Sequence, residues 1–198
     1  YLSSRYRYGA GVKPDLRRSI DYRRRGCLAG SELCCALLDS DYYDGFWEPH
    51  YVLLWGGPTG PSPSPAYAPS WARPLEAVLP EAERLCATDF ADGIRGTPDH
   101  HSLLRLFCDG LPTARAALED AKESFPSFVA SCQRGQAMAC GIAGHLLMTG
   151  VGVTRDLPKG RRLRAQACAG GDEYACRPLG AEEPLMRGEA LKIGRAHV

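Results

Sequence analysis

The sequence predicts an all-α fold: a right-handed α/α solenoid of antiparallel helix-turn-helix repeats, stapled by disulfides and interrupted by one long Pro/Gly-rich insertion. Three observations predict it. Cys, two residues, Gly, four residues, Cys occurs three times, at Cys27–Gly30–Cys35, Cys132–Gly135–Cys140 and Cys168–Gly171–Cys176. The last two copies begin 36 residues apart, a period typical of stacked helical hairpins. Sliding the chain by 141 residues also lays 2–35 on 143–176 without a gap, with ten agreements that include Asp15/Asp156, Arg23/Arg164, Gly30/Gly171 and Glu32/Glu173.

The agreements fall where a backbone is demanding. Tyr8-Gly-Ala-Gly-Val12 and Thr149-Gly-Val-Gly-Val153 read as a helix end followed by a turn, because glycine tolerates the left-handed region. Asp15 and Asp156 then stand where an N-cap belongs, offering a carboxylate to unpaired amides. Gly30 and Gly171 end that helix, and Ser31 and Asp172 cap the next, so each unit is two short helices in antiparallel contact.

The order Gly-x-Gly-Val, Asp, then Ala167-Cys168-x-x-Gly171-x-x-x-x-Cys176 resembles the Sel-one-like repeat family, relatives of the tetratricopeptide repeats. The cysteine-stapled form is similar to secreted cysteine-rich repeat proteins of bacteria, some of them described as penicillin-binding or β-lactamase proteins. The likeness covers 2–45 and 132–180. The small residue that the family has before the second cysteine is present as Ala139 and Ala175, but the first copy has Cys34 there.

Taken in order, 1–35 forms repeat 1. Its second helix runs on through Ala36–Tyr43 to Gly45, which lies ten residues past Cys35 just as Gly150 lies ten past Cys140. A degenerate repeat 2 over 36–108 therefore starts in register, with an aromatic and Pro-rich insertion at 46–72. Phe46, Trp47, Tyr51 and Trp55 are the candidate binding residues there, since aromatics anchor interfaces; the alternative is that they cap a degenerate repeat's core. Residues 56–72, rich in Pro, Gly and Ser, read as an exposed loop. Helical periodicity returns at Pro74–Cys86, and Asp99–Cys108 is expected as the partner helix. Repeat 3 spans 109–140, with Pro126 predicting a kink or two short helices, and repeat 4 spans 141–180. In the tail 181–198, Ile193-Gly-Arg-Ala-His-Val198 reads as a translated sequencing adapter, so 192–198 carries no functional weight. The chain is then expected to be a fragment missing both natural ends and any signal peptide.

Eight of nine cysteines fall into sequential pairs: Cys27/Cys35, Cys86/Cys108, Cys132/Cys140 and Cys168/Cys176. Sequence does not fix connectivity, but cysteines flanking a Gly turn between two helices can meet the Cα separation a disulfide needs. Each short bridge stabilises by roughly 2–3 kcal/mol, so four approach the ~5–15 kcal/mol of a typical domain. That usage points to an oxidising compartment, secreted or periplasmic, and zinc sites favour closer cysteine spacing. Cys34 is expected to be a free thiol; pairing with Cys86 or Cys108 is the alternative.

A formal net charge of +1 gives no whole-protein field toward nucleic acid or membrane, and no transmembrane segment is expected. Arg17, Arg18, Arg23, Arg24 and Arg25 crowd one helix, read as a solvated face with an anionic partner as the alternative. His100-His101 beside Asp99 reads as a helix start, and no metal or cofactor is expected. Ser-x-x-Lys, Gly-x-Ser-x-Gly and Gly-Lys-Ser/Thr are all absent from the sequence. The reading is a non-catalytic, monomeric scaffold binding protein or peptide on its concave face. The resemblance alone implies two others: a β-lactam-binding or β-lactamase-like protein, or an assembly factor of the mitochondrial intermembrane space, where a His or Cys34 would offer a haem ligand.

Overall fold

The computed structural model describes residues 2–55, 73–89 and 98–177, and every regular element among them is a helix. In order these are α1 (Leu2–Tyr8), α2 (Leu16–Leu28), α3 (Glu32–Trp55), α4 (Leu75–Asp89), α5 (Pro98–Gln133), α6 (Ala137–Thr149), α7 (Leu157–Ala169) and α8 (Glu173–Cys176). None is long and apolar enough to cross a membrane among the described residues.

Local chemistry sets the hairpin ends. The Asp15 and Asp156 carboxylates accept the amides of Arg18 and Lys159, both at 2.9 Å. Asp172 accepts those of Tyr174 and Ala175 at 3.1 and 3.2 Å, and Ser31 Oγ that of Cys34 at 3.4 Å. Gly30, Gly135 and Gly171 take φ of 93°, 90° and 95°, a region that strains any residue with a Cβ. Each turn closes in the same way. The glycine amide donates to the first cysteine's carbonyl at 2.9–3.1 Å, and the following amide returns to the residue before that cysteine. The next turn repeats too: Asp15 N–H donates to Tyr6 O and Asp156 N–H to Leu147 O, both at 2.8 Å.

Across these turns the sulfurs of Cys27–Cys35, Cys132–Cys140 and Cys168–Cys176 lie at bonding distance, with Cα separations of 4.5, 4.6 and 4.7 Å. Cys86–Cys108 joins α4 to α5 at 5.8 Å. Cys34 is free and half-buried. The α2–α3 hairpin lies directly against α5–α6, although their first cysteines are 105 residues apart in sequence. Gln136 Nε2 donates to Cys27 O at 2.6 Å, and Arg17 pairs with Glu123 at 2.7 Å. Beyond α6, α7 packs on α6 and the short α8 on α7.

The middle of the chain departs from expectation. α3 does not end at Gly45 but runs to Trp55. Gly45 serves a close approach instead: a Cβ there would lie 3.0 Å from Ala117 Cβ and 3.3 Å from Ala114 Cα on α5. Likewise the helix expected at 99–108 and the front of repeat 3 form one helix, undivided at Pro126, because α5 runs through Pro112 and Pro126. A proline inside a helix forfeits a backbone bond and costs ~3 kcal/mol. Burial of Leu111, Ala114, Ala117, Leu118, Ala121 and Phe128 along the same helix offsets that cost.

The core is one large cluster, with a small second one of Cys132, Cys140 and Ala167. The large one runs from Ile20 through Leu38 and Tyr42 to Leu53, takes in Leu75, Val78 and Leu79 of α4, and reaches Leu146 and Met148 of α6. Phe46 and Trp47 belong to it, at 0% and 3% exposure. This corrects the expectation that they form a contact surface. They pack edge-to-face at 4.9 Å, and His50 Nδ1 donates to the Phe46 carbonyl at 2.6 Å beneath them. Burying one such ring is worth about 1.5–3 kcal/mol, which a continuous α3 secures and a solvent-facing loop would not. The Tyr51 and Trp55 side chains, 56–72 and the tail 178–198 lie outside the described residues.

Candidate functional site

Three polar clusters tie the hairpins together, and the third borders a cavity. In the first, Asp41 of α3 is 1% exposed and sits between Arg7 Nη1 at 2.6 Å and Arg23 Nη1 at 2.5 Å. Arg23 also donates to the Leu37 carbonyl at 3.3 Å. A buried carboxylate is tolerated only with such partners. Asp44 feels the same site: burial, and then the Asp41 charge, hold its carboxyl above the usual range.

In the second, Tyr42 OH donates to Asp120 Oδ2 at 2.6 Å with Ser124 Oγ 3.2 Å away, and Arg24 pairs with Asp120 Oδ1 at 3.1 Å. Burial raises the Asp120 carboxyl, although its hydrogen bonds and Arg24 pull it back. Burial, followed by the Asp120 charge, pushes the Tyr42 phenol well up. Asp21 holds both Arg24 and Arg25, and Asp15 holds Arg18. The crowded arginines of α2 are therefore matched by carboxylates of the chain itself, more closely than a plain solvated face requires.

The third cluster joins α3 to α6. His145 Nδ1 donates to Asp39 Oδ1 at 2.7 Å across 106 residues of sequence. Beside this pair lies a cavity of about 210 Å³ bounded by α3, α6, α7 and α8. Ala36, Met138, Ile142 and Ala175 give it apolar walls; Asp39, Ser40, His145, Arg164 and Asp172 supply polar ones; half-exposed Tyr174 stands at the rim. Arg164 Nη2 donates to the carbonyls of Tyr174, Ala175 and Arg177 at 3.4, 3.3 and 3.1 Å. It thereby anchors α8 onto α7. Two larger depressions, about 720 and 590 Å³, follow the α6–α7 turn at 152–159. Both are open, and neither gathers buried polar groups from several hairpins.

The eight paired cysteines come together as expected in sequence. Cys34 Sγ packs over α2, where a Cβ on Gly26 would fall 2.5 Å from it. Among the described residues no group of three or more His, Cys, Asp or Glu is arranged to hold a metal, and the side chains of His100 and His101 lie outside them. The cavity residues Asp39, His145, Met138 and Tyr174 are not singled out by sequence reasoning. One signal exists: Leu33, Met138 and Tyr174 each stand two residues before the second cysteine of their copy. Chemically the arrangement offers carboxylate oxygens above an apolar floor, which suits binding. Comparison with family models, curated proteins and solved structures finds no match to this chain.

Proposed function

We propose that this chain is a protein- or peptide-binding repeat scaffold of the periplasm or cell exterior, built as a Sel-one-like solenoid. The observation that carries the reading is the composition of the 210 Å³ cavity: the second helix of each hairpin stapled across a glycine turn, α3, α6 and α8, contributes to its walls. Stacked arrays present equivalent helices as one continuous surface in this way. Four cysteine pairs at bonding distance suit an oxidising compartment.

The test is selection of displayed peptides on the fully oxidised protein, repeated on Ala36→Trp. Ala36 is exposed and lines the cavity, so the indole would roof it with little effect on the core. The scaffold reading expects enriched peptides whose affinity falls at least about tenfold on A36W, or ~1.4 kcal/mol. No enrichment, or binders indifferent to A36W, would overturn it.

A further inference from the structure

We infer that the cavity between α3, α6 and α8 is a cation pocket that takes one lysine or arginine side chain of a partner polypeptide. The inference rests on the peptide-binding reading and names its occupant. Two carboxylates carry it. Asp39 and Asp172 are each only 8% exposed, and both line the cavity. Asp39 spends Oδ1 on His145, and Asp172 spends Oδ1 on the amides of Tyr174 and Ala175. Among the described residues, the second oxygen of each takes no hydrogen bond. Asp172 Oδ2 lies over Gly141, in space that any side chain at 141 would need.

The cavity's own cation does not answer them. Arg164 is committed to three backbone carbonyls and makes no ion pair with either carboxylate. A carboxylate withdrawn from water with an unclaimed oxygen is costly, and an incoming ammonium or guanidinium offsets that cost. The walls fit the rest of such a side chain. Ala36, Met138 and Ile142 provide an apolar track for a methylene stem. The volume, about 210 Å³, is below the ~300–1,000 Å³ of pockets that enclose whole small molecules. It is the size for one long side chain.

The experiment uses the oxidised full chain and the pentapeptides acetyl-Gly-Gly-Xaa-Gly-Gly-amide, with Xaa lysine, arginine, norleucine or glutamate. Titrations are followed by the Met138 methyl and the Gly141 and Ala175 amides. The lysine and arginine peptides are expected to shift these signals saturably, at least tenfold more tightly than norleucine, with no response to glutamate. Asp172→Asn keeps the helix cap, since asparagine caps as well as aspartate. Asp39→Asn keeps an acceptor for His145. Each is expected to weaken the lysine peptide about tenfold while leaving the melting temperature nearly unchanged. Equal affinity for lysine and norleucine, indifference to both substitutions, or shifts confined to other residues would each overturn the pocket. A selected peptide that loses binding on A36W yet needs no basic residue would overturn the cation pocket alone and leave the scaffold reading standing.

Discussion

Removing the last staple should open one wall of the cavity without unfolding the protein. α8 has four residues, far short of the ~12–15 at which an isolated helix becomes marginal. What holds it is the Cys168–Cys176 bridge, the Asp172 cap and Arg164. With a sequence separation of 8, the chain-entropy model assigns the bridge about 2.5 kcal/mol. Because α8 packs chiefly on α7 among the described residues, C168A/C176A should spend that loss locally. Amide exchange at Ala175 and Cys176 should quicken by roughly 70-fold, the equivalent of 2.5 kcal/mol, while the main melting transition moves little. C132A/C140A removes a bridge of the same span but with both residues nearly buried, at 3% and 1% exposure, between α5 and α6. There the lost packing adds to the crosslink term, for about 3–4 kcal/mol in total. That corresponds to a fall in Tm of roughly 6–16 °C at this chain length. Calorimetry and hydrogen exchange on the two variants decide the matter. Equal losses of Tm, or unchanged exchange in α8, would refute the division into a locally held wall and a globally held centre.

Four further outcomes follow from the packing and the buried network. Gly144→Ala should cost about 1–2 kcal/mol in denaturant melts: its Cβ would stand 2.8 Å from Gly160 O and 3.1 Å from Arg164 N, and overpacking against backbone exceeds the ~1 kcal/mol helix gain. Gly45→Ala gains about 1 kcal/mol of helix propensity but brings a Cβ to 3.0 Å from Ala117 Cβ and 3.3 Å from Ala114 Cα, so it should stay within ~1 kcal/mol of neutral; a stabilisation of the full ~1 kcal/mol or more would mean that α3 and α5 do not approach so closely there. Tyr42→Phe removes a donor to a carboxylate and should cost about 1.5–3 kcal/mol at neutral pH, and the deficit should shrink near pH 3, where Asp120 is protonated and needs the donor less. The sign for Asp44 is distinct. Burial and Asp41 raise its folded value, so its contribution is complete below about pH 4 and is lost as pH rises through the raised value. Asp44→Asn should therefore melt higher than the parent at pH 7 and together with it near pH 3.

Features set by neighbouring residues were readable from sequence, and those set by distant ones were not. Asp15, Asp156, Ser31 and Asp172 cap because the amides they serve are two or three residues away, and the glycine turns recur because only local backbone is involved. Three of the sulfur pairs close over the same short spacing of eight residues, whereas Cys86 and Cys108 meet across 22. Gly45 misleads because its helical role depends on Ala114 and Ala117, some seventy residues on. Pro126 does not split the helix because burial along α5 outweighs a local penalty. Phe46 and Trp47 look like interface anchors in a linear reading, since aromatic residues serve cores and interfaces alike. The cavity was invisible for a related reason: Asp39 and His145 meet only when two hairpins stack. Arg164 was marked as a repeat position by its match to Arg23, but its carbonyl partners on α8 are a matter of geometry.

Sulfur bridges hold each hairpin in register, and mass-spectrometric mapping of the unreduced protein tests this most directly. The expected linked peptides are Cys27–Cys35, Cys86–Cys108, Cys132–Cys140 and Cys168–Cys176, with Cys34 as the one thiol that alkylates. A bridge through Cys34, or a link between cysteines of different hairpins, would contradict this pairing.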